Sequence, residues 1–553
     1  MYLSRTKSRL MPARRPLMSS VQLPASTRGL NLHDGISAMK PADALVLDNW
    51  FPDGTFLKVR GGVTEFALHQ PAGAIYSLME WAGPGSRNFF AATTTDIYDI
   101  TAGGAMVTAD VGSLTSGYWQ TTMIATAGGN FLVACNGADP VQNFDGTTWT
   151  EPTITGVSGD TLNFVCLHKS RLWFVPNNST KAWYLPTNSI AGAAVSFELG
   201  ASFSEGGKLV AIGAVSRDGG SGSDDYLAFI SSHGQVVVYQ GDDPASAATW
   251  ARVGVYDGAP PIGNRCVAGI AGDLAILTES AIVSTRQLMA GGQASAERQS
   301  ITRNIDRGIQ EAFQSYGALD GWSIASYPRY KLAIINVPTS SSTAFQFVLN
   351  TETGAWCSYS SINATCWGLF NEDPYFGKPD GYVYQAEDGF SDEVPGVLQF
   401  INDVGADIEF TNSSGDIIEF LGAPMRTYIT AQVKTSFQSY GRNGGVARMT
   451  MIRPLFTAGG QIVPAIRMNV DYQDSLPLST DEYPLTSGNA GSTWDAATWD
   501  EGTWGGSVAP FNNWYAATGI GTVASVNMVT QTRINTILNA FDLKAEVAQE
   551  NTL

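Results

Sequence analysis

The sequence predicts a mainly β protein, with a β-propeller of about six blades followed by an additional antiparallel β-domain. Paired apolar runs joined by short polar turns recur six times in the first two-thirds of the 553 residues. A hairpin buries only one face, and the radial packing of propeller blades supplies the neighbours that it needs. The 59 glycines and the charged fraction of 15% indicate many tight turns and few exposed helices.

The six hairpins recur at intervals of about 40–60 residues, as propeller blades do. Their first strands are predicted at 87–93, 130–135, 171–175, 225–230, 273–278 and 330–336. Their second strands are predicted at 96–100, 141–144, 182–185, 235–239, 281–285 and 345–350. We therefore expect the propeller to span residues 70–390. Two segments with helical spacing, 295–301 and 304–313, interrupt it between the fifth and sixth hairpins.

The first 28 residues form a basic N-terminal arm that contrasts with an acidic body. The formal net charge is −18, yet the first twenty residues include Arg14, Arg15 and three further basic side chains and no acidic one. An acidic body repels phosphates, which argues against tight nucleic-acid binding by it. The arm is expected to be a solvated tail. Contact with an acidic partner or with nucleic acid is the alternative.

Residues 29–69 are predicted to form a compact entry segment that precedes the propeller. Pro52 and Gly54 separate two short apolar stretches within it. Trp50 and Phe51 stand directly before this turn. Large apolar groups of this kind are usually buried, so we expect them to form a plug that holds the entry segment to the body.

Beyond Gly389 the apolar pattern changes to the period-two alternation of antiparallel strands, for example at 428–433, 447–454 and 465–472. We assign residues 391–553 to a separate C-terminal antiparallel β-domain with a Trp-rich loop. In this loop Trp494, Trp499 and Trp504 recur at a spacing that fits neither a helix stripe nor a strand face. Packing against a neighbouring subunit is the favoured role of these tryptophans, and sugar stacking is the alternative.

The motifs favour a protein that is not an enzyme. The sequence contains no nucleophile elbow, zinc-protease helix, phosphate-binding loop or dinucleotide fingerprint, and its four histidines are scattered. The five cysteines stand singly, so we expect buried free thiols and synthesis in a reducing cytoplasm. No catalytic residue, metal ligand or cofactor is predicted. The sequence also shows no apolar run of about 18 residues that would span a membrane, and no secretory signal.

Several segments occur together in an order that points to a known family. They are 29–34, 43–52 and Arg60-Gly-Gly near the start, and 435–441, 448–454 and the Trp494–Trp504 run near the end. With these motifs the chain resembles the tail structural proteins of short-tailed, podovirus-like bacteriophages. The similarity spans most of the chain after the arm. The ending at 541–551 departs from the family pattern, so no C-terminal contact is carried over.

The resemblance implies a structural subunit of the virion tail, a nozzle or tail-tube protein made in the host cytoplasm. It implies a homo-hexameric ring below the portal and adaptor, in contact with other tail proteins. Double-stranded DNA would pass through the ring lumen during genome ejection without specific binding. Two other functions remain open: a propeller enzyme that depolymerises glycans, with carboxylates and aromatic residues at one mouth, and a carbohydrate-binding tail module that uses the Trp-rich loop.

Overall fold

A computed structural model gives the architecture of the chain. It describes residues 17–69, 73–218, 223–270, 272–298, 300–398, 410–411, 417–418, 420–440, 445–477 and 509–547. About 54% of the chain lies in β-strands and 6% in helices, and the strands form a β-propeller with additional sheets. The predicted fold class is therefore confirmed.

Five self-contained antiparallel sheets follow one another along the chain as propeller blades. The first contains Ser77–Ala82, Arg87–Ala92 and Ile97–Asp99. The second contains Gln120–Thr126, Gly129–Cys135, Gln142–Phe144 and Trp149–Thr150. The third contains Leu162–His168, Arg171–Pro176, Lys181–Tyr184 and Val195–Glu198. The fourth contains Leu209–Asp218, Ser223–Ser231, Gln235–Gly241 and Trp250–Asp257, and the fifth contains Val267–Ile270, Asp273–Leu277 and Ile282–Ser284.

Two further four-stranded units complete the ring, but both are parts of larger sheets. The sixth unit contains Ser323–Tyr327, Leu332–Pro338, Ala344–Asn350 and Trp356–Tyr359. The seventh contains Cys366–Phe370, Asp373–Gly377, Tyr382–Ala386 and, from the other end of the propeller sequence, Val63–His69. Each unit packs against the next. Cys366–Phe370 of the seventh unit packs against Ser77–Ala82 of the first, so the ring is closed. The blade count thus differs from the predicted six: five blades stand alone and two units are merged with other strands.

The six predicted hairpins are the second and third strands of the first six units. These strands are sandwiched between neighbouring units, so they are buried on both faces and read as continuous apolar runs. The predicted helical stretch is also present, as α1 (Thr285–Arg298) and α2 (Asp306–Tyr316). Ile309 and Ala312 of α2 are buried against the body of the propeller.

The strands before and after the propeller form one body, which we call the platform: the described parts of residues 17–62 and 420–547. One of its sheets contains Trp50–Asp53, Phe56–Val59, Thr536–Val547, Ala447–Ala458, Leu17–Pro24, Ala509–Phe511 and Tyr515–Gly521. The other extends the sixth unit through Gly29–Leu30, Asp43–Asp48, Ile429–Thr435, Val523–Thr532, Gln438–Ser439 and Ala465–Val470. The propeller is therefore an insertion between the two halves of the platform.

Further short strands connect the platform to the propeller or stand as two-stranded pairs. Asp392–Leu398 pairs with Phe420–Thr427 and, at Asp392, with Val63. Gly104–Met106 runs parallel to Val63–His69. The two-stranded pairs are Ile154–Thr155 with Gly192–Ala193 and Phe410–Thr411 with Ile417–Ile418.

Two expectations from the sequence are corrected by this arrangement. The region after residue 390 is not a separate domain, because Ile429–Thr435 pairs directly with Asp43–Asp48 of the entry segment. Residues 17–28 of the predicted arm are not a solvated tail, because Leu17–Pro24 pairs along its whole length with Thr536–Val547. Leu23, Ala25 and Ser26 are buried there. Both contacts join residues hundreds of positions apart, which local sequence patterns do not encode.

The junction between platform and propeller is held by the buried side chain of Arg60. Its two terminal nitrogens donate to the Asp392 carboxylate at 2.8 and 2.5 Å, and Nε donates to Asn49 Oδ1 at 3.0 Å. Burial disfavours the charged form of Arg60 and by itself would lower its pKa. The facing Asp392 carboxylate favours the charged form more strongly, so the pKa of Arg60 is raised. The two glycines that follow pass directly against 387–391, where a Cβ on Gly62 would meet the Ser391 carbonyl oxygen at 2.1 Å. The Arg60-Gly-Gly motif is therefore explained by a charge-paired close approach of two backbones.

We expect Arg60→Met to lower the free energy of unfolding by about 3–5 kcal/mol, because it leaves the Asp392 carboxylate without its partner in a largely buried site. Denaturant-induced unfolding followed by far-UV circular dichroism measures the change. The matched control is Arg426→Met, which removes a 70% exposed partner of Glu393 and should cost less than about 1 kcal/mol. Equal losses for the two variants would contradict the role assigned to Arg60.

Candidate functional site

Trp50 and Phe51 lie in the platform and are buried, with exposed fractions of 0% and 3%. The strand Trp50–Asp53 pairs with Phe56–Val59 and packs on two strands of the sixth propeller unit. Asn350 Nδ2 in that unit donates to the Pro52 carbonyl oxygen at 2.9 Å. The predicted burial of this segment is confirmed, and the contacts are those of a plug between entry segment and propeller.

Trp50→Ala is expected to lower the free energy of unfolding by about 3–5 kcal/mol, because it leaves a cavity in this junction. Met425→Ala serves as the control, since Met425 is 57% exposed on the same platform. Thermal and denaturant unfolding of both variants measure the difference. An unchanged midpoint for Trp50→Ala, together with lost function, would instead assign Trp50 to a binding surface.

The other sequence-predicted site residues lie outside the described residues. These are Arg14 and Arg15 of the arm and Trp494, Trp499 and Trp504 of the Trp-rich loop. Their roles as interface candidates stay predictions.

The four histidines and five cysteines occupy separate structural positions. His33 Nδ1 lies 3.0 Å from both carboxylate oxygens of Asp306, which ties the entry segment to the start of α2. The cysteines are free, four of them are buried, and burial raises the pKa of every one of the five thiols. The described residues contain no group of His, Cys, Asp and Glu side chains arranged to hold a metal ion. Neither described helix is long and apolar enough to cross a bilayer.

Among the four histidines, His168 is the one whose pKa its surroundings change most. It is buried beside Trp250, with ring centroids 6.3 Å apart, and burial lowers its pKa from about 6.5 to about 4. The unfolded chain therefore binds a proton at a higher pH than the folded chain does. As the pH falls from about 6.5 towards about 4, this histidine destabilises the fold.

We expect His168→Gln to reduce the loss of stability between pH 6.5 and pH 4 by about 2–3 kcal/mol relative to the unchanged protein. The measurement is the free energy of unfolding at a series of pH values. His233→Gln, at an exposed turn position, is the control. Parallel pH profiles for His168→Gln and the parent protein would contradict the assignment.

The first strands of five of the seven units begin around a cavity of about 190 Å³, which we call the axial cavity because these strands surround the centre of the ring. Its walls are formed by Ser77, Leu78, Trp119, Gln120, Thr121, Arg265, Val267, Ser323, Ile324, Ala325, Cys366 and Trp367. A second cavity of about 260 Å³, which we call the mouth cavity, is lined by residues next to these in the sequence, among them Tyr76, Tyr118, Asp320, Asn363, Thr365 and the turn at 338–343. Asp320 is the single carboxylate in the described lining of the two cavities. Burial and the nearby Asp320 raise the pKa of Tyr118 to about 12.

The platform carries a cluster of exposed apolar side chains, which we call the corner patch: Val446, Tyr472 and Ile520. Their exposed fractions are 49%, 48% and 64%. All three flank the turn at 521–523: Ala447 pairs with Gly521, and Asp471 Oδ1 accepts from the backbone N–H of Thr522 at 2.8 Å. Exposed apolar side chains grouped in this way are typical of protein–protein contact sites. The sequence did not reveal the patch, because its three members are far apart along the chain.

Comparison with known proteins gives a fold-level likeness only. No family model and no curated protein matches the chain. The solved structures that match include the β-propeller domain of Cps50 (Swd1) from Myceliophteria thermophila, at 9% identity and a TM-score of 0.38, covering 60% of this chain and 99% of that domain. The designed Ika8 protein matches at 10% identity and a TM-score of 0.33, covering 65% and 98%. BBS1N, solved in complex with ARL6DN, matches at 10% identity and a TM-score of 0.37, covering 62% and 97%. These values carry no argument about function, and the propeller assignment stands on the strand pairing described above.

Proposed function

We propose that the chain is a structural subunit of a bacteriophage tail, a nozzle or tail-tube protein that assembles into a homo-hexameric ring around a channel for genome ejection. The observation that carries the proposal is the platform. The motifs that carry the family resemblance lie in two stretches of the sequence, 29–62 and 435–454. Their described residues meet in the two sheets of the platform, although the propeller separates the stretches by more than 370 positions in sequence. A body that joins both chain halves is suited to bear load between neighbouring tail proteins.

The corner patch supports assembly through a second copy of the chain. Interfaces between identical subunits are richer in apolar area than ordinary protein surface. Val446, Tyr472 and Ile520 provide such area on the platform, close to the edge strand Tyr515–Gly521. Covering this patch would also protect the platform from nonspecific association.

The DNA channel of such a ring lies between subunits and not along a propeller axis. The axial cavity has a volume of only about 190 Å³, and Trp119 and Trp367 line it. The major groove of B-DNA alone is about 12 Å wide, so the duplex is far too large for this cavity. Several subunits arranged around a common axis would provide the necessary width.

The acidity of the chain suits a channel wall that does not retain DNA. A basic wall would hold phosphates through counterion release, and each contact would add to the affinity. An acidic wall repels the duplex within the Debye length of about 8–10 Å and keeps it mobile. The net charge of −18 can supply such a wall if enough acidic side chains face the lumen.

A glycan-depolymerising enzyme is less well supported by the geometry of the propeller mouth. Retaining and inverting glycosidases use a pair of carboxylates. The described lining of the axial and mouth cavities offers Asp320 alone. Incubation with host polysaccharide, followed by size analysis of the glycan, tests this alternative directly.

Assembly is tested with Ile520→Asp, which places a charge in the corner patch. We expect the unchanged chain to form hollow sixfold rings in negative-stain images, and Ile520→Asp to shift the mass from light scattering towards the monomer. The control is Val253→Asp, which alters a 42% exposed valine on the fourth blade and should leave the rings intact. A parent protein that stays monomeric at high concentration, or rings that survive Ile520→Asp, would overturn this interface.

The channel proposal also predicts weak DNA binding. Fluorescence anisotropy with a labelled duplex should show no saturable binding to the assembled ring at 50 mM salt, since repulsion is strongest at low ionic strength. Tight binding that weakens steeply with added salt would indicate a basic lumen and would contradict the mechanism.

A further inference from the structure

Two strands of the platform lie at opposite edges of one sheet, and each is unpaired on its outer side. They are Leu17–Pro24 and Tyr515–Gly521, and the central strands Thr536–Val547 and Ala447–Ala458 lie between them. Within the described residues, each edge strand pairs only with the central strand on its inner side. An unpaired edge presents a row of backbone N–H and C=O groups that another strand can bind.

Neither edge carries the charged side chains with which proteins usually protect an exposed edge strand. Leu17–Pro24 and Tyr515–Gly521 contain no Lys, Arg, Asp or Glu, and the one proline stands at the last position of the first strand. The outer strands of the third and fourth blades differ from them. Val195–Glu198 contains an acidic residue, and Trp250–Asp257 contains both a basic and an acidic one. The platform edges are therefore accessible to strand pairing, whereas these two blade edges are protected.

We infer that Leu17–Pro24 of one copy pairs with Tyr515–Gly521 of the next copy, so that the platform sheet continues from subunit to subunit. The contact rests on the ring of the proposed function. The corner patch lies at one of the two edges, since Ile520 belongs to Tyr515–Gly521, and Leu17–Pro24 is the opposite surface that the next copy provides. A contact between two different surfaces of the same chain repeats head to tail, and it forms a ring when the rotation closes. Pairing of backbone groups at a sheet edge is a recurring mode of recognition between proteins.

The two edge strands match in direction and length. Each runs antiparallel to its central strand, and the central strands are antiparallel to each other, so the two edges run in opposite directions. Rotation about a ring axis that runs along the strands leaves these directions unchanged. The new pair is therefore antiparallel, which is the more stable arrangement. The strands contain eight and seven residues, so they can overlap along nearly their full lengths.

The inner and outer faces of the two strands match as well. Leu23 and Ala517 are 4% exposed and belong to the buried core, whereas Ser20, Gln22 and Thr518 are exposed. Successive side chains of a strand point to opposite faces, so the register of a pair must keep buried positions beside buried ones. A sheet that continues across the contact meets this condition in both copies.

The test is disulfide trapping in the full chain with pairs of cysteines, one on each edge. Ser20→Cys is combined in turn with Ala516→Cys, Thr518→Cys and Ile520→Cys, which cover three registers on the exposed face. Within one chain, three strand spacings of ~4.8 Å separate Ser20 from this edge, a distance of at least about 14 Å that no disulfide spans. Any bond therefore joins two copies. At least one pair should give a ladder of covalent oligomers up to the hexamer in non-reducing electrophoresis.

Ser20→Cys with Val253→Cys is the matched control, since Val253 is 42% exposed on the fourth blade, and it should give no ladder. Thr518→Lys is the second measurement. It places a charge on the edge at an exposed position, so the mass from light scattering should fall to that of the monomer while the melting temperature stays unchanged. Rings that give no ladder with any of the three pairs, or that survive Thr518→Lys, would overturn the edge contact and leave the proposed function standing. A parent chain that stays monomeric would overturn both.

Discussion

Closure of the propeller depends on a strand that comes from outside its own run of sequence. Val63–His69 pairs with Tyr382–Ala386 and supplies the outer strand that the seventh unit lacks. Arg60 fixes the start of this strand by its double hydrogen bond to Asp392, and Tyr359 joins through Glu387, which accepts from Gly61. A ring of sheets is stable only when its last unit meets its first. The Arg60 site therefore couples closure of the propeller to assembly of the platform.

This coupling makes the molecule one body instead of two domains joined by a linker. The sixth unit continues without a break into the platform sheet through Gly29–Leu30 and Asp43–Asp48. The plug around Trp50 packs across the same junction. Relative motion of propeller and platform would break backbone hydrogen bonds as well as apolar contacts. Such rigidity suits a subunit whose proposed task is to keep a channel open under load.

The corner patch and the axial cavity differ in their chemistry. The corner patch is exposed on the platform, where it would offer apolar area to another copy of the chain in the proposed ring. The axial cavity is lined by the cationic side chain of Arg265, in a protein whose overall charge is −18.

The sequence alone determined the elements whose pattern is local. Six hairpins were recognised because their strands are buried on both faces and carry unbroken apolar runs, and α2 because its apolar residues have helical spacing. The seventh hairpin was missed, since Pro374, Gly377 and Gly381 interrupt its pattern. Burial of Trp50 followed from residue type, whereas the pairing of Leu17–Pro24 with Thr536–Val547 did not. Only the tertiary structure decided which strands close the ring, which residues form the corner patch and which acceptors hold Arg265. Each of these depends on contacts between distant segments, and their free energy is set by burial and pairing in three dimensions, not by neighbours along the chain.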